Sequence, residues 1–174
     1  SEVLLTAYIE WGEQMLHRLN GMWALVIYDR KEKTVFGARD RYGVKPFYYC
    51  QDGDRILFAS EPPSILAVLG RKPTPNQNTL FSYLAFNRTD QNEDSFFQEI
   101  TKLPHGHYFK LSLLPKAGEL QPKRWYNLRN ALKVPCKDTG AYRAMFASSV
   151  GPRLRSEVPV GVCLRGGLDS SSIV

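Results

Sequence analysis

The stretch Met22-Trp23-Ala24-Leu25-Val26-Ile27-Tyr28, the charged segment Asp29 to Thr34, and Thr34-Val35-Phe36-Gly37-Ala38 decide the fold. Two runs rich in β-branched and aromatic residues flank a short charged segment, the pattern of a hairpin. A second pair follows at once. Phe47-Tyr48-Tyr49-Cys50-Gln51 and Arg55-Ile56-Leu57-Phe58-Ala59 are separated by Asp52-Gly53-Asp54, a turn signal. Four strands within about forty residues, joined by tight turns, predict an antiparallel sheet.

Outward from this block the period changes. Leu4, Tyr8, Trp11, Met15 and Leu19 recur at close to helical spacing, with Gly12 breaking the run into a longer and a shorter helix. Pro62-Pro63 suits the first turn of a helix reaching Leu69. Asn76 is placed to cap a helix over 77–86. A polar loop over 86–97 precedes two alternating stretches, 108–113 and 120–126, which read as strands. Residues 128–138 read as a linker, 142–154 as a helix, and the continuous apolar run 158–164 as a buried parallel strand. Gly151-Pro152 should break or kink that helix, because proline removes a backbone donor and clashes with the preceding turn.

Composition narrows the class. With 174 residues, 43% of them hydrophobic, the chain can bury a core. No apolar run is long enough to span a bilayer. Three cysteines, Cys50, Cys136 and Cys163, argue against a disulfide framework and for a reducing, cytoplasmic setting. The net charge of +6 is spread along the chain, which reads as solvated surface rather than a nucleic-acid site. His105-Gly106-His107 reads as a turn carrying two polar rings, not a metal pair. The chain opens on Ser1 with apolar helix-like residues at once, and Ser170-Ser171-Ser172-Ile173-Val174 reads as a helix just begun. Both features lead us to expect an internal piece of a longer polypeptide.

Two segments carry charge chemistry. Arg39-Asp40-Arg41 with Gly43, Lys45 and Pro46 reads as a turn whose charges pair to tie it to the sheet. Arg165-Gly166-Gly167-Leu168-Asp169-Ser170-Ser171 reads as a glycine loop opening a helix. Adjacent glycines keep side chains out of the way, amide hydrogens converge near the helix start, and the spot favours phosphate. Ser170 and Ser171 could add hydroxyls, and Asp169 could hold a Mg²⁺ carried on pyrophosphate.

The sequence resembles the bacterial type of glutamine-hydrolysing asparagine synthetase. The resemblance rests on Glu2-Val3-Leu4-Leu5, Leu19-Asn20-Gly21-Met22-Trp23-Ala24, the segment Ala38-Arg39-Asp40-Arg41-Tyr42-Gly43-Val44-Lys45-Pro46-Phe47-Tyr48-Tyr49, Phe58-Ala59-Ser60-Glu61, Leu103-Pro104-His105-Gly106-His107 and Val158-Pro159-Val160-Gly161-Val162-Cys163-Leu164, in family order. It implies an α+β chain. Residues 1–127 would be the later part of an amino-terminal-nucleophile glutaminase sandwich, with antiparallel sheets between helices. Residues 128–174 would begin an α/β ATP-pyrophosphatase domain. It further implies ATP and Mg²⁺ as cofactors, glutamine, aspartate and ATP as substrates of the parent, asparagine made through an aspartyl-AMP intermediate, and a homodimer of the parent.

Residue by residue, the resemblance places the pyrophosphate loop on Leu164, Gly166, Gly167, Asp169, Ser170 and Ser171, with Asp169 as the expected Mg²⁺ ligand. Arg165 departs from the family's serine. No catalytic residue is carried over: the nucleophilic cysteine, the glutamine-binding arginine and the oxyanion asparagine belong upstream of Glu2, and an acidic residue that holds the glutamine amino group belongs immediately before Ser1. Arg165 and Gly151-Pro152 together suggest a degraded or inactive copy, or errors in the sequence read, and the piece by itself is expected to be inactive. The alternatives are a related ligase, of the β-lactam synthetase or lasso-peptide cyclase type, and a non-catalytic remnant.

Overall fold

The computed structural model describes residues 2–114, 118–132 and 135–174. Ser1 and residues 133–134 of the expected linker lie outside the described residues. The chain divides into two compact units, Ser1–Asn127 and Leu128–Val174.

The first unit is built in four layers. Helices α1 (Glu2–Trp11) and α2 (Met15–Arg18) are joined by a 3₁₀ turn at Gly12–Gln14, where Gly12 takes φ +54°. Strands β1 (Ala24–Asp29) and β2 (Thr34–Arg39) form the expected hairpin, with Asp29 Oδ1 accepting from the Lys31 and Glu32 amides. Strands β3 (Tyr48–Asp52) and β4 (Arg55–Ala59) form the second, turning at Gly53, φ +60°. These four strands do not share one sheet. The long-range partner of β2 is β6 (His107–Ser112), and β7 (Lys123–Arg124) extends it, giving the order β1-β2-β6-β7. The partner of β3 is the short β5 (Thr101–Lys102), giving β4-β3-β5. Only two residues of the expected strand over 120–126 pair.

Side-chain alternation assembles the layers, because successive strand residues face opposite ways. Val26, Val35, Phe109 and Leu111 of the first sheet meet Tyr49 and Ile56 of the second in the central core. The opposite face of the first sheet, Leu25, Ile27, Phe36 and Ala38, packs under Ala7, Met15 and Leu16 of α1 and α2. The opposite face of the second, Tyr48, Cys50, Leu57 and Ala59, packs under Ile65 and Leu69 of α3 (Pro62–Leu69). Gly37 faces the central core, where a Cβ would stand 2.2 Å from the Phe109 ring. Helix α4 (Gln77–Phe86) is capped as expected, Asn76 Oδ1 accepting from the Thr79 amide at 3.2 Å.

The second unit holds α5 (Leu128–Ala131), inside the stretch expected to be a linker, then α6 (Thr139–Val150) and α7 (Leu168–Ile173). Asp138 caps α6 by accepting from the Ala141 amide at 2.7 Å. The α-helix stops at Val150 and tightens into a 3₁₀ turn at Gly151–Leu154. Pro152 has no amide hydrogen with which to continue the helical ladder. The run 158–164 is not the expected buried strand. It is unpaired, and Val158, Val160, Val162 and Leu164 are exposed. Apolar composition makes a strand only where a neighbour takes its ladder hydrogen bonds, and no described residue does so.

Candidate functional site

In the second unit the expected loop residues stand in one short segment. Gly166 takes φ +71°, a left-handed conformation that favours glycine, and open space surrounds the position a Cβ would occupy. Gly167 stands at the N-cap of α7 in extended conformation. The Ser171 amide donates to Gly167 O at 3.0 Å, so the helix is wound from its first turn. The Ser170 hydroxyl also donates to Gly167 O, at 3.1 Å, and is engaged inside the loop. Leu164, Arg165 and Asp169 are exposed. The donor set fits a phosphate group: an unobstructed glycine turn leads into a helix start, where orphan amides collect. Asp169 is a lone carboxylate. Among the described residues no group of three His, Cys, Asp or Glu could hold a metal ion, so Asp169 would hold Mg²⁺ only together with phosphate oxygens.

In the first unit the Arg39-Asp40-Arg41 segment is a backbone hub. Asp40 is 1% exposed. Its Oδ1 accepts from the amides of Tyr42 (3.0 Å) and Val44 (3.1 Å), and its Oδ2 from those of Trp23 (3.2 Å) and Lys45 (3.0 Å). Burial pushes the Asp40 carboxyl up, but the four amides outweigh it and hold the group below its ordinary value. Arg39 donates to the carbonyls of Lys45, Leu103 and Gly43 at 2.7–2.8 Å. Burial lowers its pKa. Arg41 donates to Leu19 O and His17 O, and its guanidinium lies over the rings of Trp125 and Tyr126. The expectation that these charges pair with one another is corrected. No ion pair joins Arg39, Asp40, Arg41 and Lys45 among the described residues; each acid or guanidinium takes main-chain partners instead.

The hub positions the neighbouring turn. Gly106, φ +64°, donates its amide to Asp40 O at 2.8 Å and accepts from the Trp125 and Tyr126 amides. His107 Nδ1 contacts His105 O at 2.8 Å, and burial lowers the His107 pKa.

One feature of this unit escaped the sequence. A groove of about 660 Å³ lies between the turn at 39–46 and residues 90–93, with Tyr48, Lys102 and His105 among its lining. Its residues are widely spaced in the chain, and no local pattern announces them.

A four-layer α-β-β-α unit with two antiparallel sheets, followed by a glycine loop at a helix start, defines a two-part architecture. The family model for the glutamine amidotransferase domain matches residues 1–126, and the chain belongs to that family. The model for asparagine synthase matches residues 141–174. A glutamine-hydrolysing asparagine synthetase of Bacillus subtilis is 35% identical over 99% of this chain and 28% of its own length. A putative enzyme of the same name from Methanocaldococcus jannaschii is 33% identical over 100% of this chain and 34% of its own. An amidase of Gibberella zeae is 32% identical over 99% of this chain and 25% of its own. The chain therefore spans only about a quarter to a third of these relatives.

Proposed function

We propose that this chain belongs to a glutamine-hydrolysing, ATP-dependent asparagine synthetase. Residues 1–127 would form part of its amidotransferase domain, and 128–174 the start of its synthetase domain. The observation that carries this reading is the order of two family matches on one chain, amidotransferase and then asparagine synthase. The parent would be a cytoplasmic enzyme that releases ammonia from glutamine and uses it on aspartate activated by ATP. ATP would supply the adenylyl group that turns the aspartate side-chain carboxylate into an acyl-adenylate, a mixed anhydride, with pyrophosphate leaving from the α-phosphorus and AMP later displaced by ammonia.

In this reading Gly166 and Gly167 give the pyrophosphate access to backbone amides. The Ser171 hydroxyl and the free amides of the first turn of α7 supply further donors, and Leu164 ends the apolar run leading into the loop. Asp169 would be the residue to hold a Mg²⁺ brought in with the phosphate. Ser170 must first release Gly167 O to contribute its hydroxyl. Arg165 brings a long cationic side chain where a small hydroxyl would leave the cradle open.

Aspartate-dependent exchange of labelled pyrophosphate into ATP tests the reading in the protein that carries this chain, with Arg165 and with Arg165→Ser. Exchange absent with Arg165 and restored by serine supports both the ATP site and the inhibitory effect of Arg165. Normal exchange with Arg165 contradicts the inactive-copy reading. No exchange in either form with aspartate contradicts the synthetase reading. A related ligase acting on another carboxylate is the second reading, kept open because a relative of comparable identity bears a name other than asparagine synthetase. Exchange supported by another acid would select it.

A further inference from the structure

Lys102 of β5 is buried, and its ammonium donates to Thr89 O at 2.9 Å and to Asp90 Oδ1 at 2.7 Å. The members of this ion pair are unequal: the Lys102 side chain is 11% exposed and that of Asp90 80%. A buried ammonium needs an anion beside it, because losing its partner leaves an uncompensated charge. An exposed carboxylate regains its hydration when it leaves. The anion at Lys102 is therefore exchangeable, while the requirement for one is not.

The pair stands where such an exchange has room. Lys102, Asp90 and Tyr48 line both the groove of about 660 Å³ and a smaller cavity of about 130 Å³. The segment carrying Asp90 leaves α4 at Asn87, in the left-handed region at φ +53°. Its far end is tied by main chain, the Lys102 amide donating to Glu93 O at 2.8 Å. Its near end is held to Lys102 by Asp90 and by the Thr89 carbonyl.

The charges across the groove are mixed. Lys102 and Arg39 supply positive charge, and Arg39 has no carboxylate partner of its own within ion-pair distance among the described residues. Asp90 and Glu93 supply negative charge on the facing segment. A simple anion at Lys102 would meet Glu93 and a displaced Asp90. A simple cation would meet Lys102 and Arg39. A dipolar molecule satisfies both sides. We propose that this groove binds a free amino acid. Its carboxylate replaces Asp90 at Lys102, and its ammonium is received by the released Asp90 and by Glu93. Asp90 is thus a built-in competitor that closes the site when it is empty. The proposal does not depend on the ATP loop or on glutamine hydrolysis.

The test titrates the protein that carries this chain, isotope-labelled, with L-alanine, propionate and ethylamine, reading amide shifts over 39–48 and 88–105. Saturable shifts with alanine, at least about tenfold weaker ones with propionate, and none with ethylamine are expected. Lys102→Met should abolish alanine binding. Asp90→Asn should strengthen propionate binding about tenfold by removing the competitor. The Asp90→Asn measurement decides the matter even if Lys102→Met fails to fold. No saturable alanine shift, equal binding of alanine and propionate, or an Asp90→Asn variant with unchanged propionate affinity overturns the proposal.

Discussion

Replacing Asp40 by asparagine isolates what holds the first unit's central turn. The two side chains match in shape, so packing is preserved. The amide oxygen can keep one pair of contacts, for instance Tyr42 and Val44. The amide nitrogen then faces the main-chain donors of Trp23 and Lys45, now 3.2 and 3.0 Å from Oδ2. Each buried donor left without an acceptor costs about 1–3 kcal/mol. Two such donors, together with the loss of charge from the remaining bonds, give about 4 kcal/mol. That is a large share of the roughly 5–15 kcal/mol that holds a domain together. Urea unfolding followed by tryptophan fluorescence reads it directly, since Trp23 and Trp125 stack beside the turn.

The same variant carries a pH signature. The folded Asp40 pKa lies below its unfolded value. Its stabilisation is therefore present above the unfolded value and lost as pH falls through the folded one. The wild-type urea midpoint should fall steeply below about pH 4, and that of Asp40→Asn less so. A loss under about 1 kcal/mol, with an unchanged acid slope, would refute the hub as the organising feature of the turn.

Three further outcomes follow from the geometry. Gly37→Ala places a methyl carbon 2.2 Å from the buried Phe109 ring, and should destabilise by about 1–3 kcal/mol or more in the same urea assay. Asn76→Ala removes the α4 cap and should cost about 1 kcal/mol, with faster amide exchange confined to the first turn of that helix. Pro152→Ala should let the α6 ladder continue past Val150, seen as increased helical circular dichroism.

Much of the first unit was legible because its strands are amphipathic in two directions. Leu25 and Ile27 face helices while Val26 faces the other sheet, so each run reads as a strand wherever it pairs. The division into two sheets was implied by the family resemblance but not by any local pattern. It depends on β6 pairing with β2 from more than sixty residues away, and on the turn at Asp40 carrying β3 into the other layer. Strand β5 was missed because its two residues are too few for any period. The run 158–164 misled for the opposite reason: it has the composition of a buried strand, but composition does not supply a neighbour. The glycine loop was legible by residue type, since Gly166 has the positive φ that its sequence invites. The groove at Lys102 was not, because its lining comes from three distant segments.

The proposed role of the protein that carries this amidotransferase-family chain is the making of asparagine. Glutamine labelled with ¹⁵N in its side-chain amide, supplied with ATP and aspartate to the protein that carries this chain with Arg165→Ser, tests it most directly. The account predicts ¹⁵N in the side-chain amide of asparagine, with AMP and pyrophosphate formed in step. Label released only as ammonia, or found in an amide other than that of asparagine, would contradict it.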